Sequence, residues 1–229
     1  MKKRSKRYNK SLEAVEKDKT YILAEAVAAL KKTVHAKFDE TVEISCHLNV
    51  DTKKTDQLVR GTTVLPHGIG KNVRVCVFCK GEDINKAKEA GADYVGGVEL
   101  IEKVKKGWLD FDKAASTLEM MREVAQLGKV LGPRGMMPSP KVGTVGADIQ
   151  QIIKELKAGK VQFKADKTGN IHAAVGKISF AEQQLMENAM AMIKAIQHAR
   201  PAQIKGRYLN SVGIATSMSP GIKLDIAKL

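Results

Sequence analysis

The amino-acid sequence predicts a protein of mixed α/β and α+β class, in which a discontinuous α+β domain carries an inserted Rossmann-like α/β domain with three layers. Two observations support this expectation. Strands in the outer segments alternate between apolar and polar residues, as in a sheet with one solvated face, whereas residues 73–79 are almost continuously apolar, as in a parallel sheet covered on both faces. Charge divides the chain in the same way: residues 1–66 and 159–229 hold 24 basic and 13 acidic groups, and residues 67–158 hold 15 and 12. These bounds define the two expected domains.

The first outer segment is expected to form a helix and then a strand. Thr20 precedes apolar residues with helical spacing between Ile22 and Leu30, which predicts a helix with a threonine N-cap that ends near Lys32. From residue 41 to residue 50, even-numbered positions are apolar and odd-numbered positions are polar. This period of two predicts a strand with one buried and one polar face.

The inserted segment alternates strand and helix patterns, which is the order of βαβ units. A glycine and proline-rich loop covers 132–143, and Gly159 follows the last helix, where a C-cap favours glycine. The predicted elements are a strand over 73–79, a helix over 83–89, a short strand at 94–95, and helices over 98–106, 118–131 and 147–158.

The second outer segment returns to alternation. Strand patterns on both sides of the turn cluster 167–170 predict a hairpin. Ser179 with Glu182 three residues later predicts a capping box at the start of a helix that ends before Pro201. A final strand is expected over 207–218, with Ser211, Gly213, Ala215 and Ser217 on its polar face.

The charge balance favours a polyanionic partner. The chain has 39 Lys and Arg against 25 Asp and Glu, a net charge of +14. No apolar run approaches the roughly 18 residues that a spanning helix needs, so a membrane partner is not expected. The basic run within residues 1–10 lacks a following apolar region and is interpreted as a solvated tail with non-specific phosphate contacts. Three cysteines without an export signal indicate free, buried thiols in the cytoplasm.

The glycine-rich stretches raise an enzyme as an alternative. No glycine-lysine pair is followed by Ser or Thr, and Gly68 and Gly70 precede a strand instead of following one, so neither a Walker loop nor a dinucleotide fingerprint is present. Cys76 and Cys79 lie three apart in a predicted strand and should point to opposite faces. We therefore expect no catalytic residue, no metal and no cofactor, and a Rossmann-like enzyme with a basic appendage remains the alternative.

For nucleic acid, the residue types favour folded RNA. Aromatic residues make up only 4% of the chain, too few for the stacking platforms that read single strands. The polar strand faces carry small or short side chains, and the carboxylate of Glu43 repels phosphates but accepts hydrogen bonds from a 2′-hydroxyl or a guanine edge. An ordinary solvated sheet face and a non-specific RNA chaperone stay open as alternatives.

Five stretches carry a resemblance to a known family. They are 37–43 (KFDETVE), 60–62 (RGT), 65–68 (LPHG), 90–97 (AGADYVGG) and 131–144 (LGPRGMMPSPKVGT). Together they resemble the bacterial members of the L-one family of large-subunit ribosomal proteins, over essentially the whole chain.

The resemblance implies a structural ribosomal protein, monomeric outside the ribosome and located in the cytoplasm as part of the large subunit. Such a protein binds a folded stem-junction of large-subunit ribosomal RNA to form the mobile stalk. It also assists release of deacylated transfer RNA from the exit site and represses its own operon by binding the messenger RNA.

The resemblance also assigns site residues. It implies a hinge near 66–68 and 158–160, with Pro66, Gly68 and Gly159. Ser219 departs from the family, which has glycine there, so altered affinity or geometry is expected at this position. The motif over 132–144 lies in the inserted domain and is interpreted as structural. The implied RNA-binding residues are Lys37, Phe38, Thr41, Glu43, Lys167, Thr168, Gly169, His172, Ser211, Ser217, Met218 and Ser219.

Overall fold

The computed structural model describes residues 5–16, 19–33 and 36–228, without the side chain of Thr55. The chain divides into two compact units, Met1–Gly70 with Val161–Leu229 and Lys71–Lys160, which we call the outer unit and the inserted unit. The outer unit holds 23 basic and 13 acidic residues, and the inserted unit holds 16 and 12. Both units mix helices and strands, so the predicted mixed fold class is confirmed.

The outer unit contains a four-stranded antiparallel sheet in the order β7-β1-β8-β9 and a separate two-stranded sheet of β2 and β6. Within the described residues, its helices and strands are α1 Lys6–Glu13, α2 Leu23–Lys32, β1 Thr41–Leu48, β2 Arg60–Val64, β6 Lys160–Lys164, β7 Asn170–Lys177, α8 Glu182–His198, β8 Leu209–Thr216 and β9 Ile222–Leu224. Even-numbered residues of β1 are buried in one apolar core with residues of α2 and α8, which confirms the predicted alternation.

The inserted unit is built on a parallel sheet in the order β4-β3-β5. Its elements are β3 Val75–Phe78, α3 Asp83–Glu89, β4 Tyr94–Gly96, α4 Val98–Lys105, β5 Lys113–Ser116, α5 Met121–Val124, α6 Gly128–Leu131 and α7 Ile149–Lys157. One face of β3 packs in a core with residues of α4 to α6, and the other face packs in a core with residues of α3 and α7. These are the three layers that the sequence predicts.

The two cysteines of the inserted unit lie in opposite layers. Cys76 belongs to the core beneath α4, and Cys79 belongs to the core beneath α7. Burial raises the pKa of Cys76 to about 12 and that of Cys79 to about 11. Both thiols are therefore protonated at neutral pH and unsuited to metal binding.

The predicted start of α2 is wrong. The helix begins at Leu23, and its N-cap residue is Ile22, which makes no side-chain capping bond. Thr20 lies outside the helix because Tyr21 is in extended backbone that bridges to Leu224 in β9. This backbone pairing with a distant strand explains why the helix begins later in the sequence than predicted.

The predicted capping box of α8 is also wrong. The backbone N–H and the hydroxyl of Ser179 both donate to the carboxylate of Asp39, at 3.2 and 2.8 Å. The helix begins at Glu182, with Ala181 at the N-cap. The backbone N–H of Ala181 donates to Oε1 of Gln184 at 3.0 Å. Ser179 therefore bonds to Asp39, a carboxylate distant in sequence, and does not cap the helix as the local pattern predicted.

Two further expectations are wrong, and three strands were not expected. The strands on either side of the predicted turn cluster 167–170 do not form a hairpin, because β6 pairs with β2 and β7 pairs with β1. The single helix expected over 118–131 is instead two short α-helices separated by a 3-10 turn at Ala125–Leu127. Strands β2, β5 and β9 were not predicted.

The basic N-terminal run is helical where the structure describes it. The helix α1 has Ser5 at its N-cap, and the hydroxyl of Ser11 donates to the backbone oxygen of Thr33 at 3.0 Å. The basic residues Lys6, Arg7 and Lys10 of the predicted tail are exposed, as a solvated segment requires, but they lie in a helix, and the first four residues of the run lie outside the described part of the chain. In the described segments, we find no helix that is long and apolar enough to cross a membrane.

Candidate nucleic-acid interface

One face of the four-stranded sheet of the outer unit is accessible to solvent and is not packed against any helix that the structure describes. Side chains of β1 at odd-numbered positions point to this face, and Glu43, Ser45 and His47 are exposed there. We call it the open face. Its residues on the three adjoining strands are Thr41, Glu43, Ser45 and His47 of β1, Asn170, His172 and Ala174 of β7, and Ser211, Gly213 and Ala215 of β8.

Strand register places small residues beside the carboxylate. Glu43 is paired with Ala174 on β7 and with Ala215 on β8, so it stands between two alanines. It forms no salt bridge with any described residue. A Cβ added to Gly213 would lie 3.3 Å from Oγ of Ser45, so a side chain there would crowd the serine hydroxyl. The centre of the open face therefore carries only short side chains around the carboxylate of Glu43, which is available as a hydrogen-bond acceptor.

A buried carboxylate organises one end of the open face. Glu40 is 1% exposed, and its Oε2 accepts from the hydroxyl of Thr216 at 2.5 Å and from the backbone N–H of Met218 at 3.1 Å. We call residues 216–219 the methionine turn. Met218 itself is 52% exposed. Glu40 thus holds the turn in place while the methionine side chain faces solvent.

Thr41 and Ser217 interlock at the same end. The N–H of Ser217 donates to the backbone oxygen of Thr41 at 3.1 Å, and the N–H of Thr41 donates to Oγ of Ser217 at 3.3 Å. The ammonium of Lys177 donates to Oγ1 of Thr41 at 2.8 Å. Lys37 and Phe38, both exposed, precede β1 here. Six of the predicted RNA-binding residues therefore lie in or beside the methionine turn, next to the ammonium of Lys177. They are Lys37, Phe38, Thr41, Ser217, Met218 and Ser219.

Ser219 has a structural role in that turn. Its Oγ accepts from the N–H of Thr216 at 2.9 Å and donates to the backbone oxygen of Pro220 at 3.0 Å. No non-glycine residue that the structure describes has a positive φ, so the backbone at Ser219 needs no glycine conformation. The Ser219 hydroxyl is thus engaged by the backbone of the turn and of the residue after it.

The loop 166–170 forms the other end of the open face. Oδ1 of Asp166 accepts from the N–H of Thr168 at 2.8 Å, from its hydroxyl at 2.7 Å and from the N–H of Asn170 at 2.8 Å. Gly169 has a φ of 81°, and a Cβ there would lie 3.0 Å from the backbone oxygen of Leu48. Only glycine fits, so Gly169 supports the loop while Lys167 and Thr168 are exposed.

The predicted residues therefore form two groups on one sheet. The methionine-turn group lies where β1 begins, and the loop 166–170 lies where it ends. At about 3.3 Å per residue, the two groups are roughly 20 Å apart. His172 and Ser211 lie on the open face between them.

The comparisons with known proteins assign the chain to a family. A model of the ribosomal protein L1p/L10e family matches residues 30–220. The chain belongs to this family. It is 52% identical to the large ribosomal subunit protein uL1 of Persephonella marina, over all of this chain and 96% of the relative. It is 50% identical to the protein of the same name from Kosmotoga olearia, over all of this chain and 99% of the relative. The resemblance to the L-one family is thereby confirmed.

Membership in the L1p/L10e family agrees with the expectation that the chain is not an enzyme, since both relatives are named as ribosomal proteins. The described side chains provide no group of three or more His, Cys, Asp or Glu arranged to hold a metal ion.

The glycine-proline motif that helped to reveal the L1p/L10e family supports the inserted unit. The backbone oxygen of Thr144 accepts from the N–H of Ser116, and Val145 forms a bridge with the same residue, so the motif continues the β5 edge. Gly143 has a φ of 65°, and its backbone oxygen accepts from Nζ of Lys160 at 3.2 Å. A Cβ at Gly143 would lie 2.8 Å from that ammonium. These contacts give the motif a structural function.

The residues predicted as a hinge differ in how firmly they are held. The buried side chain of Asn188 donates to the backbone oxygen of Gly68 at 2.9 Å and accepts from the N–H of His67 at 3.1 Å. His67 and Gly68, directly after Pro66, are thereby tied to α8 within the outer unit. Gly159 has a φ of 99° and ends α7 as predicted.

Sequence reasoning missed four residues that organise the interface. Glu40 belongs to the family stretch 37–43, but no role was predicted for it, because its partners Thr216 and Met218 lie far along the chain. Asp166 could have been found, since an aspartate before Thr, Gly and Asn is typical of a side chain that bonds the backbone two residues on. His47 was assigned to the polar face of a strand and Asn170 to the turn cluster 167–170, and neither was given a role. Their pairing depends on register between distant strands.

Proposed function

We propose that this chain is a structural protein of the large ribosomal subunit that binds a folded stem-junction of its RNA through the open face and the two ends of the sheet. One observation carries the proposal. Strand pairing brings Thr41, Glu43, His172, Ser211 and Ser217, which are scattered along the sequence, onto one side of one sheet. The name of both relatives supports the location in the large subunit.

The chemistry of the surface favours recognition of shape and backbone. Alanines and glycine at the centre of the face allow close approach of a ribose-phosphate chain, and Lys177 and Lys167 lie at its two ends, where phosphates would be attracted. Glu43 repels phosphates and accepts hydrogen bonds, so it favours a 2′-hydroxyl or a guanine edge at the centre. Exposed Phe38 and Met218 supply apolar contacts at one end.

The finer functions follow from the family resemblance. In the same proposal, the bound RNA and the protein form the mobile stalk, the stalk assists release of deacylated transfer RNA from the exit site, and the same surface represses the protein's own operon through a similar fold in the messenger. The protein is cytoplasmic and monomeric outside the ribosome. Asn188 holds Gly68, so the hinge proposal is sharpened to the residues after it, with Gly70 at a φ of 73° and Gly159 at 99° as the turning points.

Gel-shift competition tests the RNA proposal. The wild-type chain and the variants Met218→Asp and Glu43→Ala are titrated with a stem-junction of large-subunit ribosomal RNA and with a plain duplex of equal length. We expect the wild type to prefer the junction and both variants to lose part of that preference. If discrimination is absent in the wild type, and affinity follows salt alone, the chain is a non-specific RNA chaperone instead.

A further inference from the structure

His47 occupies a prominent place on the open face, yet neither the family resemblance nor the sequence pattern gave it a role. Its side chain is exposed near the end of β1, opposite Asn170 on β7 and Ser211 on β8. Nδ1 of its ring lies 2.8 Å from Oδ1 of Asn170. A histidine held by one ring nitrogen presents the other nitrogen in a fixed direction.

The contact continues through a chain of hydrogen bonds into the loop 166–170. Nδ2 of Asn170 donates to Oγ1 of Thr168 at 2.8 Å, and that hydroxyl donates to Oδ1 of Asp166 at 2.7 Å. The chain therefore runs from the imidazole of His47 through an amide and a hydroxyl to a carboxylate.

The carboxylate of Asp166 determines which atom donates and which accepts in each of these hydrogen bonds. Hydrogen bonds from the N–H of Asn170 and from the hydroxyl of Thr168 lower the pKa of Asp166 to about 2, so it is a carboxylate at neutral pH and only accepts. The hydroxyl proton of Thr168 must then point to Asp166, and its lone pairs accept the amide of Asn170. Oδ1 of Asn170 is left facing His47, and it accepts the proton on Nδ1.

We propose that His47 is an RNA-contacting residue, held by Asn170 and Thr168 as the Nδ1–H tautomer so that its Nε2 accepts a hydrogen bond from a ribose 2′-hydroxyl. The inference rests on the proposed function, since it takes the open face as the RNA surface. A neutral Nε2 has a lone pair and no proton, so it suits a hydroxyl donor and not a phosphate. The small neighbours Ser211 and Gly213 allow a ribose to approach.

This contact makes RNA distinguishable from DNA at one nucleotide, because deoxyribose lacks the donor. Asn170, Thr168 and Asp166 then act as positioning residues, and the loop 166–170 serves the open face as well as its own turn.

A 2′-deoxy scan tests the contact. The probe is a stem-junction fragment of large-subunit ribosomal RNA, prepared with single 2′-deoxy substitutions along the strand that lies on the sheet. We expect one substitution to weaken binding of the wild-type protein by about 3- to 10-fold, as the loss of one hydrogen bond implies. The same substitution should leave His47→Ala binding unchanged, because that variant has already lost the acceptor.

His198→Ala is the matched control. His198 is an exposed histidine on α8, the helix that packs on the covered side of the sheet, so this variant should respond to every deoxy position as the wild type does. If no deoxy position is coupled to His47, the inference is overturned while junction binding, and with it the proposed function, stands. If the wild type fails to prefer the junction at all, the proposed function is overturned first.

The positioning role has its own spectroscopic test. Nitrogen-15 shifts of the His47 ring should show Nδ1 protonated in the wild type and in Thr168→Ser, which keeps the hydroxyl. Thr168→Val removes the hydroxyl that orients Asn170, so the ring should shift toward the Nε2–H tautomer and the deoxy effect should shrink. A wild-type ring with Nε2 protonated, or a Thr168→Val variant with an unchanged tautomer, would contradict the proposed relay.

Discussion

The carboxylate of Glu40, just before β1, accepts a hydrogen bond from the hydroxyl of Thr216 at the end of β8, and both residues are buried. The same oxygen accepts the N–H of Met218. Glu40→Ala leaves these two donors without a partner, so we expect the free energy of unfolding to fall by about 1–3 kcal/mol. Because Met218 loses its anchor, affinity for a stem-junction RNA should fall as well. Urea titration and gel shift measure the two effects.

Glu43→Ala is the control for Glu40→Ala, since Glu43 is an exposed carboxylate three residues further along the chain, in β1. Its unfolding free energy should stay within about 0.5 kcal/mol of the wild type, while discrimination between junction and duplex should decrease. If the two variants were equally destabilised, the buried hydrogen bonds of Glu40 would not be what stabilises the methionine turn.

Ser219 provides a second prediction about that turn. Ser219→Ala removes the acceptor for the N–H of Thr216 and should cost about 0.5–1.5 kcal/mol of unfolding free energy. Ser219→Gly should cost roughly 0.4–1 kcal/mol more, because glycine increases the entropy of the unfolded chain. Neither variant should bind the junction RNA more tightly than the wild type. Tighter binding by the glycine variant would mean that the serine side chain obstructs the ligand.

How far the sequence predicts this molecule depends on the distance between interacting residues. Alternation along one strand was sufficient to assign both faces of β1, because burial there repeats every two residues. The start of α2 was missed because Tyr21 pairs with Leu224, some two hundred positions away. The same applies to the site. Family motifs located Thr41 and Met218, but the support from Glu40 and the link from Asp166 to His47 depend on strand register that no local pattern encodes.

Asn188 is expected to stabilise the segment that leads to the inserted unit. Its amide also donates to the backbone oxygen of Val175, so Asn188→Ala removes partners from buried groups on two segments and should lower the unfolding free energy by about 1–3 kcal/mol. Hydrogen exchange at the His67 N–H, which donates to Asn188, should accelerate. Asn210→Ala, at an exposed position of β8, is the control and should change neither quantity. An unchanged exchange rate at His67 would argue against the anchor.

Asp112 should make the stability of the inserted unit depend on pH. A hydrogen bond from Lys71 at 2.6 Å, with others from Arg74, lowers the pKa of Asp112 from 3.8 to about 2. A carboxyl whose pKa is lower in the folded state stabilises above its unfolded pKa, and this contribution disappears as pH falls from about 4 to about 2. Asp112→Asn should therefore cost about 0.2–1 kcal/mol at pH 7, as expected for a solvent-accessible ion pair, and little at pH 2.

Urea unfolding at both pH values measures this difference between wild type and Asp112→Asn. Asp110→Asn, at an exposed aspartate two residues earlier, serves as the control for the removal of a surface carboxylate outside the Lys71 and Arg74 contacts. A difference for Asp112→Asn that persists undiminished at pH 2 would assign the effect to packing instead of charge.

The outer unit should bind the junction RNA without the inserted unit. A variant that joins Gly70 to Val161 through a short glycine linker deletes Lys71–Lys160 and leaves the apolar core of the four-stranded sheet intact. All predicted RNA-binding residues remain, and the outer unit holds most of the excess positive charge, so we expect affinity within about tenfold of the wild type in gel shift. Circular dichroism and a cooperative thermal transition establish that the truncated chain is folded. A folded truncate that has lost junction binding would show that the inserted unit contacts the RNA directly, and the binding surface would then have to extend beyond the open face.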